Sequence, residues 1–530
     1  MCKRENHGTT VSDPASFARE LANDMTEQRL LEQMPDGRCR LRHGAAERRF
    51  KTMRVLEHLE PKRVFALFED MCAIPHGSFH TKAISDWCVA FAKERGLEYH
   101  QDSANNVIII KPATPGYENA PAMILQGHLD MVCEKDADCK KDMVTEGLDL
   151  AVDGDWVYAK GTTLGGDDGI AVAMAMAILD DNTLQHPRIE AVFTTDEEVG
   201  MLGAMELDVS PLQGRMLLNI DSEVEGAFTV SCAGGCRAHC TLPVSREGFH
   251  GAGLHVSVEG LQGGHSGVEI HKGRANANVI LGRVLRAAAA VSDLRIVSVR
   301  GGVKDNVIPA NAVAHVIVSD EAAVRAAWTA LERDLQNEFR VTDGKLRLAV
   351  TSADTAPAMD KASTTRVMTL LTCTPNGVQV MSADIEGLVQ TSLNLGVLAT
   401  EGDNVLVSYS IRSSVESQKR MMQDKVICLV EQLGGTVELS GDYPGWAYLE
   451  NSPLREKMVA LFREQYGREP EIEAIHAGLE CGLFSGKMPG LDCVSIGPDL
   501  KDIHSARERM SIASVQRVYA FVTELLRRSK

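Results

Sequence analysis

The sequence predicts an α/β protein: a mostly parallel sheet flanked by helices, interrupted by an inserted α+β domain. Three observations predict it. Between Glu60 and Asp221, short apolar runs alternate with helical patterns, the rhythm of a parallel sheet. After Ala233-Gly234-Gly235, strand-like runs outnumber helices. From Tyr443 onward the earlier style returns, so the middle segment is inserted rather than appended. The boundaries read as 1–52 for an N-terminal extension, 53–232 and 443–530 for the two parts of one domain, and 233–442 for the insert.

Taken in order, Pro14–Met34 can form a short amphipathic helix through Phe17, Leu21, Met25 and Leu31. Arg38–Arg49 is basic and without period, so the extension as a whole reads as a solvated, flexible arm. A helix starts at Glu60-Pro61, with Val64, Leu67, Phe68 and Met71 on one face. Another runs over Thr81–Arg95 and stops at Gly96. Strands follow at Asn106–Ile110 and Ala122–Leu125, the second broken at Gln126-Gly127. Val152–Val157 reads as a hairpin, Gly169–Leu179 as a buried Ala/Met-rich helix, and Ile189–Thr195 and Met216–Ile220 as strands. In the insert, strands are expected at Gly253–Val258, Arg295–Val299, Ala312–Val318, Val389–Leu398 and Val405–Ile411. Helices are expected there at Ala275–Val291, Glu321–Phe339 and Glu416–Leu433. The chain closes with helix Pro453–Tyr466, strand Cys493–Ile496, loop Gly497–Arg509 and helix Ser511–Leu526.

Composition narrows the function classes. A net charge of −18 over 530 residues argues against nucleic acid or an anionic membrane as partner. No apolar run is long enough to cross a bilayer, and the N-terminus lacks the apolar core of a secretion signal. Glu5, Asp13, Glu20, Asp24 and Glu27 disfavour a mitochondrial transit peptide, so the expected location is the cytoplasm. The 13 cysteines, odd in number and scattered, suit a reducing compartment. Cys232, Cys236 and Cys240 recur every fourth residue, but with no second paired cluster they read as buried thiols rather than a structural zinc site.

Charged residues of metal-binding type stand at successive strand-to-loop junctions: His128 and Asp130, Asp167 and Asp168, Glu197 and Glu198, and Asp221. His504 lies beyond a late strand. In open α/β sheets these junctions line the binding edge. His128 and Asp130, two apart on extended backbone, point the same way, so one can ligate while the other supports it. Two imidazoles with three carboxylates suit zinc, manganese or cobalt better than calcium or magnesium. Two metals sharing a carboxylate can activate water and polarise a carbonyl. Each residue also has a plainer reading. Glu197-Glu198 can be a solvated pair, His265 an exposed loop histidine, and Arg412 a structural partner of some carboxylate. The Gly161–Gly169 stretch suggests a phosphate cradle, but it lacks the Lys-Ser/Thr of a P-loop.

From about Leu56 to the end, the chain resembles the co-catalytic metallopeptidase family of aminoacylases, glutamate carboxypeptidases and dipeptidases, and its dipeptidase branch above all. The matching stretches are Ile74-Pro-His76, Gln126-Gly-His-Leu-Asp-Met131, Gly161-Thr-Thr-Leu-Gly165, Asp221-Ser-Glu223 and Gly263-Gly-His-Ser-Gly267. Thr374-Pro-Asn-Gly377, Tyr443-Pro-Gly-Trp446, Ile475-His-Ala-Gly-Leu-Glu-Cys-Gly482 and Ser495-Ile-Gly-Pro498 complete the set. The resemblance implies a zinc-peptidase catalytic domain with a lid that dimerises, and two Zn²⁺ per chain, with Mn²⁺ or Co²⁺ as substitutes. It implies that His128 and Asp221 hold one ion, Glu198 and His504 the other, and that Asp167 bridges them across a cis Asp167–Asp168 bond. Asp130 would orient His128, Glu197 would be the general base, and His265, Asn306 and Arg412 would reach the substrate, with His265 acting in cis or in trans. His476 and Glu480 would be candidates for the pocket wall. The implied reaction is hydrolysis of unblocked dipeptides, Xaa-His among them. An aminoacylase or exo-carboxypeptidase of the same family is the nearer alternative, and a non-catalytic metal-binding scaffold the farther one, disfavoured by the intact Glu197. Two departures stand out: Asp168 replaces the Asn usual in bacterial relatives, and residues 1–52 have no counterpart.

Overall fold

The computed structural model describes residues 31–33, 39–41 and 54–530. Its centre is an eight-stranded sheet in the order Glu471–Ile475, Ala227–Cys232, Asp492–Ser495, Met216–Asn219, Met123–His128, Ile189–Thr194, Val107–Lys111, Glu98–Gln101. The four middle strands, Asp492–Ser495 through Ile189–Thr194, are all parallel. Antiparallel pairs flank them on both sides. The middle strands are buried throughout because both faces are covered. Leu125, Phe193 and Leu218 pack with the helices Lys62–Cys72, Gly166–Asp180 and Ile512–Arg527, while Ile124, Val192 and Leu217 pack with helix Glu480–Lys487.

The chain leaves this sheet after Cys232 and enters a nine-stranded antiparallel sheet at Gly234–Pro243, returning after Thr436–Tyr443. Helices Ala277–Ala289, Glu321–Glu338, Lys361–Cys373 and Glu416–Gln432 cover one face of that second sheet. Strands such as Gly234–Pro243 alternate buried and exposed residues along much of their length, as a sheet with one wet face requires. Cys236 and Cys240 share the buried side of that strand, Cys232 is buried in the first sheet, and all three thiols are free. No helix among the described residues is long and apolar enough to cross a membrane.

Four expectations need correction. The strand read as Ala122–Leu125 runs on to His128. Gln126 fits inside it because Glu480, Thr194 and Asn219 satisfy its buried amide. Helix Lys361–Cys373 was not expected from its Thr-rich sequence. Asp360 caps it, and Thr365 and Thr369 hydroxyls bond back to carbonyls one turn earlier. Strands Thr436–Tyr443 and Glu471–Ile475 are also additional to the expected set; both are half-polar edge strands with little apolar signal. Finally, Leu31–Gln33 and Cys39–Leu41 form a short antiparallel pair where a helix end and an aperiodic stretch were expected. The rest of the amphipathic reading from Pro14, and of the flexible arm, lies outside the described residues.

Candidate active site

Because the four middle strands are parallel, their carboxyl ends lie along one edge. His128 closes Met123–His128, with Asp130 two residues on. Glu197 and Glu198 follow Ile189–Thr194, Asp221 follows Met216–Asn219, and His504 sits in the loop after Asp492–Ser495. Asp167 arrives at the start of Gly166–Asp180, a helix buried over nearly its whole length. The Asp167–Asp168 bond is cis, and neither residue has helical backbone angles.

The side chains converge. Asp167 presents one carboxylate oxygen to His128 Nε2 at 3.1 Å and the other to His504 Nε2 at 3.2 Å. Asp221 Oδ1 lies 3.5 Å from His128 Nε2, and Glu198 Oε2 lies 3.0 Å from His504 Nε2. All five residues expected as ligands therefore meet. Two trios have ligand atoms within 4.8 Å of one another: His128, Asp167 and Glu198, and His128, Asp168 and Asp221. The second includes Asp168, which had been expected only beside the bridge.

Charge decides what this arrangement can hold. Among the described residues, the only salt-bridge partners of Asp167, Glu198 and Asp221 are His128 and His504. Burial pushes Asp221 up to about 6 against the pull of His128. Burial, then Asp167 and Asp221, push Glu223 up to about 7. Glu197 is likewise raised, by burial first and then by Asp221, Glu480 and Glu198. In the other direction, Asp167 and Glu198 raise His504 to about 10. His128 is raised too: burial opposes its charge, but Asp130, Asp167 and Asp221 outweigh it. A site that holds protons this tightly is short of positive charge, and divalent cations fit that deficit and the mixed imidazole–carboxylate donor set.

A supporting shell fixes these groups. His128 Nδ1 donates to the Asp130 carbonyl at 2.9 Å, leaving Nε2 for a cation. The Asp130 carboxylate accepts from Ser78 Oγ at 2.7 Å and from the Glu197 N–H at 3.0 Å, so it ties the Glu197 loop to the His128 strand. Asp168 Oδ2 accepts from the His128 N–H at 3.2 Å. Burial, then Asp221, raises the proton affinity of the Asp168 carboxyl. One supporting residue escaped the sequence. Glu508 accepts from the N–H groups of Leu164, Gly165, Gly166 and Asp167 at 2.7, 3.0, 2.8 and 3.3 Å. The signal was present: a Gly-rich row of donors without a phosphate motif needs some anion, and a carboxylate follows His504 by four residues.

A cavity of about 590 Å³ opens above the centre, lined by Glu197, Glu198 and His504 below and by His265, Asn306 and Arg412 from the insert. His265 Nδ1 accepts from the Gly267 and Val268 N–H groups, each at 3.2 Å, so Nε2 carries the hydrogen. Burial, then Arg412, lowers its pKa. Arg412 forms no salt bridge among the described residues; Nη1 donates to the Tyr443 hydroxyl at 3.2 Å and buried Nε has no partner. The plainer reading of Arg412 as a structural ion pair is thereby set aside. Tyr443 had been noticed only as part of a matching motif. His476 is buried and bonded to Ser392 Oγ at 2.7 Å, and Glu480 is buried under the sheet edge against Gln126 and Thr194. Neither lines this cavity.

Comparison with known proteins matches residues 124–528 to the model of peptidase family M20/M25/M40. The chain is 38% identical over 481 residues to the cytosol non-specific dipeptidase of Escherichia coli (strain K12), covering 90% of this chain and 99% of that protein. Among solved structures, the aminoacylhistidine dipeptidase of Vibrio alginolyticus superposes with a TM-score of 0.85 at 38% identity, covering 89% of this chain and 97% of that one. Aminopeptidase PepT of Bacillus cereus, 15% identical with a TM-score of 0.51 over 89% of this chain and 99% of that one, shares the fold.

Proposed function

The chain belongs to peptidase family M20/M25/M40, and from that premise we propose that it is a cytoplasmic two-metal dipeptidase acting on unblocked dipeptides, Xaa-His among them. The observation that carries the proposal is Asp167, whose two oxygens each face a different imidazole at 3.1 and 3.2 Å. The names of the 38%-identical relatives, a dipeptidase and an aminoacylhistidine dipeptidase, support the substrate class and the location. His128 and Asp221 would hold one divalent ion, Glu198 and His504 the other, and Asp167 both; zinc, manganese or cobalt suits these donors. When bound, the ions supply Lewis-acid polarisation of the peptide carbonyl and acidify the attacking water.

The protein's own groups do the rest. Residues 53–232 and 443–530 act as the catalytic domain and 233–442 as the lid. Glu197 takes the proton from water and delivers it to the departing amine, a task suited to a carboxylate of raised proton affinity. Neutral His265 donates Nε2–H to the oxygen that gains charge, with Asn306 beside it in the cavity wall. Arg412, unclaimed by any carboxylate among the described residues, grips the substrate's terminal carboxylate. Fixing that end leaves only the peptide bond next to it over the centre, so longer peptides cleave poorly at internal bonds. The test compares turnover of a dipeptide, its C-terminal amide and an N-acyl amino acid. A dipeptidase cleaves the first efficiently and the other two poorly; preference for the N-acyl compound would make it an aminoacylase, and efficient cleavage of the amide would remove Arg412 from the mechanism.

The same resemblance supports a homodimer formed through the lid, whose sheet ends in the half-exposed edge strand Arg347–Ala353. Mixing inactive Glu197→Ala and His265→Ala subunits asks whether His265 serves its own site. Recovered activity means action in trans; none, despite verified subunit exchange, means action in cis.

A further inference from the structure

We infer that Glu508 is the positioning residue that sets Asp167 and His504 in register, acting as the internal anion of the Gly-rich loop. The inference rests on the two-metal reading above and adds to it the group that aligns the shared ligand with a ligand from the far end of the chain. Four consecutive N–H groups, from Leu164 to Asp167, point at one carboxylate, two at each oxygen. Consecutive amides turned inward make an anion-binding concavity of the kind that elsewhere takes a phosphate. Here the anion is 341 residues from Asp167 in sequence and 3% exposed.

The last of the four donors is the Asp167 amide itself, so the carboxylate holds the backbone of the bridging residue. At its other end, Glu508 lies in the same loop as His504. Its N–H bonds to the Ser505 carbonyl at 3.0 Å, and the next residue, Arg509, begins a strand paired with Trp156–Ala159. His504 has φ +55, a left-handed backbone that a non-glycine residue keeps only when its surroundings enforce it. One side chain thus joins the two loops whose tips stand 3.2 Å apart at Asp167 Oδ2 and His504 Nε2. Loss of such support commonly costs metal sites 10- to 100-fold in affinity.

The charge pattern suggests the variant. In Glu508→Gln, one oxygen becomes an amide nitrogen facing two N–H donors, so half of the cradle meets a donor instead of an acceptor while volume is preserved. Glu508→Ala empties the cradle, and Glu508→Asp keeps the charge but shortens its reach. Full-length proteins, stripped of metal, are titrated with Zn²⁺ against a chromogenic chelator. The metal-free forms are also followed by hydrogen exchange. We expect Glu508→Gln to melt close to wild type without metal, yet to bind at least one ion about 10-fold or more weaker. Its peptides spanning 164–167 and 502–505 should exchange faster. Glu508→Asp should fall between Gln and wild type. Wild-type affinity for both ions with unchanged exchange in these peptides would overturn the inference. A wild-type protein that binds fewer than two ions contradicts the proposed function instead; the exchange comparison then still decides whether Glu508 orders the two loops. If Glu508→Gln does not fold, the Asp variant is read by the same two measurements.

Discussion

In the proposed mechanism Glu197 acts on a proton rather than holding a cation. Its N–H is fixed by Asp130 at 3.0 Å, and its raised proton affinity comes from burial and from Asp221, Glu480 and Glu198. Glu197→Ala should therefore keep two ions per chain while losing roughly 10²–10⁴ in turnover, the usual size of a general-base contribution. Metal analysis beside a rate measurement separates this from loss of a ligand; full turnover would exclude the role. Arg412→Ala should raise KM and lower kcat together, because misplacing the terminal carboxylate misplaces the scissile bond. If kcat alone fell, the guanidinium would be serving the transition state and not the carboxylate. At this scale the sequence was informative about which charged groups converge, because His, Asp and Glu at strand ends are unusual locally. It gave no role to Glu508, whose Gly-rich partner was visible, or to Tyr443, which stood out only within a motif. A supporting carboxylate looks like any surface Glu until the fold shows which amides it covers.

At the scale of elements, the site depends on how closely helix Gly166–Asp180 approaches strand Met123–His128. Gly127 makes that approach feasible. A methyl group there would lie 2.5 Å from Asp168 Oδ2 and 2.9 Å from Ala171 Cβ. Gly127→Ala should cost about 1–3 kcal/mol of stability, typical for overpacking, and should weaken metal binding, since the push falls on the turn that carries Asp167. Denaturant unfolding of the metal-free protein and metal titration test the two effects separately; a variant as stable and as tightly loaded as wild type would show that the helix can retreat freely. Gly235 has a parallel role in the insert, where an added Cβ would lie 2.5 Å from the Tyr443 ring. The parallel strands were legible because burial on both faces makes continuous apolar runs, such as Met123–Leu125 and Met216–Leu218. Edge strands such as Thr436–Tyr443 were not, because half their residues face water and polar alternation resembles a loop.

At the scale of the whole molecule, the sheet and the chain's return after the insert bring the five proposed ligands from positions 128 to 504 to one edge. The insert's rhythm was visible in sequence, but how its face meets the catalytic edge was not, since no local pattern encodes an approach between segments. Metal uptake should couple to pH. His504 is raised to about 10, and His128 is raised by Asp130, Asp167 and Asp221 against burial. Ligation requires neutral imidazole, so metal uptake should release protons, and affinity should rise with pH by about tenfold per unit for each proton released. Calorimetry in buffers of different ionisation enthalpy measures that release directly; uptake without proton release would mean that these histidines are not ligands. The most direct test titrates metal-stripped protein with Zn²⁺ while following hydrolysis of an unblocked dipeptide. A two-metal dipeptidase starts inactive and reaches full activity as occupancy reaches two ions per chain. Full hydrolysis in the metal-free protein, or none at full occupancy, would contradict it.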